Sequence, residues 1–164
     1  MGKKKLIHFQ ENLTFPHLFQ PAYQEIQSDF YLKSKWDKDF FRNQRPVTIE
    51  LGCGKGEYTV GLAARYPEKN FIGIDIKGSR IWKGAKTAVQ NGMANVAFLR
   101  TQIDFIESFF QAGEVQEIWI TFPDPQLKKA RKRLTSSQFL KRYQKFLKKD
   151  GFINLKTDSA ELLE

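Results

Sequence analysis

Val47-Thr48-Ile49-Glu50-Leu51-Gly52-Cys53-Gly54-Lys55-Gly56 is the stretch on which the fold turns. A short apolar strand runs into three alternate glycines, and a helical pattern from Gly56 to Tyr66 follows, stopped by Pro67. The same alternation continues outward from it. Phe71 to Asp75 reads as a second strand. Ser79 to Gln90 reads as a helix with Ile81, Trp82, Ala85 and Val89 at helical spacing, and Val96 to Leu99 as a third strand. A short helix over Asp104 to Phe110 leads to a fourth strand, Glu117 to Phe122. Thr135 and Gln138 match a capping box, and Leu134 with Phe139 a hydrophobic staple, for a helix that Gly151 ends. Phe152 to Leu155 is the fifth strand. Strands alternating with helices imply an α/β fold, doubly wound around a mostly parallel sheet, whose ligands bind beyond the carboxyl ends of the strands.

The regular pattern begins at Pro46, so residues 46–164 read as the domain. Residues 1–45 read as an N-terminal extension, weakly ordered or partly helical. Pro21 can open a helix there that carries Tyr23, Ile26, Phe30 and Tyr31 on one side. Composition agrees with a packed protein, since 41% of the 164 residues are hydrophobic and 15 are Phe. Lys and Arg number 27 against 18 Asp and Glu, and a net charge of +9 favours a polyanionic partner, nucleic acid or an anionic membrane face. The single cysteine, Cys53, excludes a disulfide framework and fits a reducing compartment. No apolar run approaches the roughly 20 residues a membrane helix needs. The basic start at Lys3-Lys4-Lys5 is not followed by a signal-peptide core. A cytoplasmic protein is expected.

Three ligand classes use a glycine-rich turn after a first strand. A triphosphate loop requires Gly-Lys-Ser/Thr at its end, which is not present. A dinucleotide fingerprint requires a third glycine where Glu57 stands, and a carboxylate there opposes a pyrophosphate at the helix start. A cationic cofactor without phosphate remains, which is the chemistry of S-adenosylmethionine. Gly52 and Gly54 let it approach the backbone. Glu50 can hold its ammonium, directly or through water. Asp75, about 20 residues past the glycines, can accept both ribose hydroxyls. Gln102, after the third strand, offers an oxygen to the adenine amine.

Phe122-Pro123-Asp124-Pro125 follows the fourth strand and should border the reaction centre, its two prolines fixing the orientation of the Asp124 carboxylate. Lys128, Lys129, Arg131, Lys132 and Arg133 come next, where a phosphate backbone would pass if the substrate were RNA. His8 and His17 lie outside these motifs and read as structural, and no metal site is expected.

Ile49 to Gly56, Gly73-Ile74-Asp75, Phe122-Pro123-Asp124-Pro125 with its basic tail, and Lys156-Thr157-Asp158 together resemble the tRNA (guanine-N(7)-)-methyltransferase family. The resemblance covers Pro46 to Asp158. It implies a class I methyltransferase (Rossmann-like) fold, S-adenosylmethionine as cofactor and tRNA as partner, methylated at ring nitrogen seven of a variable-loop guanine. Glu50, Asp75, Gln102 and Asp124 would line the cofactor site, Asp124 would be the active-site acid, and Lys128 and Asp158 would contact substrate. Gln126 stands where the family has Trp, and Gln102 where it generally has an acid. The family's C-terminal antiparallel strand pair is not expected in this chain, so the domain reads as C-terminally incomplete. The alternatives are a methyltransferase acting on another RNA or a small molecule, and a non-catalytic RNA-binding subunit that keeps the fold.

Overall fold

The computed structural model describes residues 2–163. Six strands form one parallel sheet: β1 (Leu18–Phe19), β2 (Val47–Leu51), β3 (Asn70–Asp75), β4 (Val96–Arg100), β5 (Val115–Thr121) and β6 (Leu147–Lys156). Their spatial order is β1-β4-β3-β2-β5-β6. The five expected strands are all present, and the expected doubly wound parallel sheet is observed. The chain reverses direction across the sheet at β2, so the carboxyl ends of β2, β3 and β5 surround the switch point where such sheets take their ligands.

The two faces of the sheet are covered differently. On one, α3 (Glu57–Arg65) and α4 (Gly78–Gln90) enclose a core built on Phe71, Val96 and Phe98, and α1 (Lys3–Asn12) packs on α4. Phe98 is completely buried, and three glycines make room for its ring. A Cβ at Gly56, Gly73 or Gly84 would lie 2.7–2.8 Å from it. The third glycine of the opening motif therefore serves packing as well as the turn. The buried stripe of α4 is Ile81, Gly84, Ala85 and Ala88, whereas Val89 is 46% exposed, because α1 covers only one side of the helix.

The other face carries α5 (Ser137–Gln144), the turn at Ile103–Ser108 and, unexpectedly, much of the N-terminal segment. Phe30, Leu32, Trp36 and Phe41 belong to the main core with Ile49, Ile72, Leu99 and Ile118. The extension, expected to be weakly ordered or partly helical, is partly helical and forms a packed layer. Its only helix in the predicted region is the short α2 (Tyr23–Gln27); a single wide turn spans Trp36–Phe41, and β1 is the edge strand beside β4. Long-range bonds hold the layer. The Trp36 indole N–H donates to the Phe109 carbonyl at 2.9 Å, and the Phe30 and Ser34 amides donate to the Ser108 carbonyl and the Glu114 carboxylate. Burial of that carboxyl group raises the pKa of Glu114.

Two further boundaries differ from expectation. The cap of α5 is Ser136, whose hydroxyl accepts the Phe139 N–H, one residue after the expected Thr135. That helix stops at Gln144, and β6 begins at Leu147, so Gly151 lies inside the strand. A bulge separates Val115 from Glu117 on the partner strand, and a Cβ at Gly151 would meet the Gln116 carbonyl at 2.8 Å. Gly151 is thus required by close backbone approach at the bulge.

Candidate cofactor and substrate site

Gly52, Gly54 and Gly56 all adopt left-handed φ values, between 56° and 73°, and form a tight crossing from β2 to α3. A side chain at Gly54 would project into open space, so it is the backbone angle and the bare approach to the loop that call for glycine there. Asp75 ends β3 and braces this loop. One carboxylate oxygen accepts the Gly54 N–H at 2.9 Å and the other accepts the Lys77 N–H at 2.9 Å. Each oxygen keeps a lone pair for a further donor, which suits a ribose diol.

Glu50 sits deeper than a simple ammonium ligand. It is 4% exposed, accepting the Thr59 hydroxyl at 2.6 Å and, on its other oxygen, a very short bond from the Thr121 hydroxyl. Burial raises its pKa, opposed by those two hydroxyls. The carboxylate therefore ties the first turn of α3 to the end of β5. Thr59 and Thr121 were not singled out in the sequence. A hydroxyl carries no motif, and the Thr121–Glu50 contact, 71 residues apart in sequence, exists only once β2 pairs with β5. Cys53 is buried beside these acids, and desolvation raises its thiol pKa well above the ordinary value.

A cavity of about 330 Å³ opens over this loop, lined by Glu50, Gly52, Cys53, Lys55, Glu57, Tyr58, Thr121 and Phe122. Gly54 and Asp75 adjoin it through their mutual bond. Gln102 is exposed after β4, the strand whose Arg100 pairs with Asp75. Asp124 is exposed, and its carboxylate accepts the Gln126 N–H at 3.0 Å, the Asx-type turn its flanking prolines favour. Phe122 and Gln126 bracket that turn, both with left-handed φ of 46° and 47°. Lys128 is exposed beyond it, while Arg133 folds back so that its guanidinium N–H donates to the Pro125 carbonyl. Asp158 lies just past β6, whose Lys156 carbonyl accepts the Phe122 N–H at 2.7 Å. Gln102, Asp124, Lys128 and Asp158 thus surround the carboxyl edge without lining the cavity.

The histidines are structural. His17 is buried with Nε2 3.0 Å from the Ala85 carbonyl, and burial lowers its pKa. His8 stacks on Trp82 at 3.6 Å. Among the described residues no group of three or more His, Cys, Asp or Glu could hold a metal, and no helix is long and apolar enough to cross a membrane.

A parallel sheet with this strand order, a glycine crossing after β2 and an acid at the end of β3 define the class I methyltransferase fold. Solved structures agree at the level of fold. The aminoglycoside resistance methyltransferase NpmB1 superposes with a TM-score of 0.61 at 22% identity, covering 74% of this chain and 60% of that one. A 16S rRNA (adenine(1408)-N(1))-methyltransferase from Catenulisporales acidiphilia, with cosubstrate SAM, gives 0.59 at 18%, with the same coverage. The family model described as "Putative methyltransferase" matches residues 44–164. Three tRNA (guanine-N(7)-)-methyltransferases are much nearer in sequence. That of Bacteroides thetaiotaomicron is 59% identical over 97% of this chain and 64% of its own length. That of Porphyromonas gingivalis is 60% identical over 91% and 62%, and that of Christiangramia forsetii 57% over 96% and 72%. The chain belongs to the tRNA (guanine-N(7)-)-methyltransferase family. It spans slightly under two thirds of the length of the first two of these relatives.

Proposed function

We propose that the chain forms the cofactor site and much of the active site of an enzyme that methylates ring nitrogen seven of a variable-loop guanine in tRNA. The observation that carries this reading is Phe122-Pro123-Asp124-Pro125 at the end of β5, next to the glycine crossing, in a chain 59% identical to an enzyme so named. S-adenosylmethionine supplies an electrophilic methyl group when bound. Asp75 accepts its ribose hydroxyls, Gly52 and Gly54 line its approach, and Gln102 faces its adenine amine. Glu50 acts as a brace whose charge, partly shared with two hydroxyls, favours a neighbouring ammonium.

Ring nitrogen seven of guanine has a free lone pair, so no proton has to leave before it attacks. The protein's main contribution is then alignment. Asp124 serves as the positioning acid among the groups touching cofactor and base: its turn holds the carboxylate at one address, where it can accept amine hydrogens. The exposed Lys128, Lys129, Arg131 and Lys132 take the phosphate backbone, and Asp158 closes the same edge. Incubating the protein with tRNA and methyl-labelled cofactor, then digesting to nucleosides, tests the reading. Label in 7-methylguanosine is expected; label in any other nucleoside would refute it.

A further inference from the structure

At the rim of the cavity an exposed aromatic ring, Phe122, lies beside a half-buried one, Tyr58. Phe122 is 54% exposed, although it directly follows the buried Thr121, and it holds a left-handed φ of 46° that is unfavourable for a bulky residue. Its ring centroid is 6.2 Å from that of Tyr58, on the first turn of α3. Neither ring closes the core: both line the cavity. The Lys156 ammonium lies 5.0 Å from the Tyr58 centroid and 6.0 Å from that of Phe122, so these faces already accept a cation. Strain that presents an apolar side chain to solvent is characteristic of ligand clamps, because folding alone does not select it.

We propose that Tyr58 and Phe122 form the stacking subsite for the target purine, resting on the reading above that the substrate is a guanine in RNA. A base displaced from its helix is held most generally by its π-face. Methylation at ring nitrogen seven leaves the purine with a positive charge. The electron-rich ring faces would favour that developing charge over the neutral base where the purine displaces the Lys156 ammonium from them. Thr121 sets the Phe122 address through its bond to Glu50, linking the subsite to the cofactor loop.

The test uses two readouts on the wild type, Phe122→Leu, Tyr58→Leu and Phe122→Trp, each with cofactor binding verified by calorimetry. In the first, the H8 proton of guanosine 5′-monophosphate is followed by NMR with S-adenosylhomocysteine present. An upfield shift in the wild type and Phe122→Trp that is lost in both leucine variants is expected. An unshifted wild type, or equal shifts in all four proteins, overturns the subsite. In the second, methylation of tRNA is timed. Each leucine variant should lose about 10- to 100-fold in kcat/KM, through KM for the lost stacking and through kcat for the lost contact with the developing charge, with recovery in Phe122→Trp. Leucine variants within about twofold of wild type overturn the subsite and leave the guanine reading standing. A wild type that shifts H8 but methylates no tRNA overturns the tRNA reading and leaves the subsite supported.

Discussion

The carboxyl edge of the sheet has two halves built on opposite principles. Around β2, β3 and the glycine crossing, charged groups are already bonded: both Asp75 oxygens accept backbone N–H groups and both Glu50 oxygens accept hydroxyls. Beyond β5, Asp124 and Lys128 are exposed, Phe122 and Gln126 hold left-handed angles, and the basic run lies at the surface. A small cofactor is best met by a prebuilt site, which itself loses little entropy on binding. A large, charged and deformable RNA is best met by an open surface that adjusts to it.

Each half can be broken separately. The largest effect is expected at Asp75→Ala, which removes the proposed ribose acceptor and the brace on Gly54. Two charge-assisted bonds imply a loss on the order of 100-fold in S-adenosylmethionine affinity by calorimetry. Unchanged affinity would remove Asp75 from the cofactor site. Thr121→Val comes next. It leaves one Glu50 oxygen buried without its donor and should destabilise the fold by about 1–3 kcal/mol in urea titration, with Thr121→Ser recovering most of it. Replacing Lys128 and Lys129 by Ala should leave cofactor binding intact, weaken tRNA binding about tenfold and lower the salt slope by about 1.5. A loss independent of salt would place these lysines elsewhere than on phosphates.

The smallest effect concerns pH. Glu50 has a raised pKa when folded, so the folded state keeps its proton to higher pH than the unfolded chain does. Its contribution to stability therefore falls as pH rises above the ordinary value of 4.5 and through the folded pKa. Glu50→Gln should gain thermal stability relative to wild type over that interval. A constant difference between the two melting profiles would show that the burial of this carboxyl group does not govern the slope.

What could be read in advance follows the same division. The glycine crossing, the acid at the end of β3 and the turn after β5 were legible as positions in the fold because backbone turns restrict the residue types at fixed spacing. The brace from Glu50 to Thr59 and Thr121 was not, because it depends on which strands become neighbours. The start of β6 was hidden by Lys148-Lys149-Asp150, whose exposed side chains read equally well as the outer face of a helix. Residues 28–41 were hidden most completely. Their aromatics follow no period, since they fill the gaps between strands and lie on no single face of any element, and Ser34 adopts a left-handed angle that no turn motif announces.

That aromatic layer also has a consequence for the order of synthesis. Trp36 leaves the ribosome 73 residues before Phe109, its hydrogen-bond partner, and Ser34 leaves 80 residues before Glu114. At about 5–20 residues per second, the nascent chain carries Phe30, Leu32, Trp36 and Phe41 uncovered for roughly 4 to 16 seconds. During that interval these side chains lack both the hydrogen-bond partners and the β5 residues that complete their core.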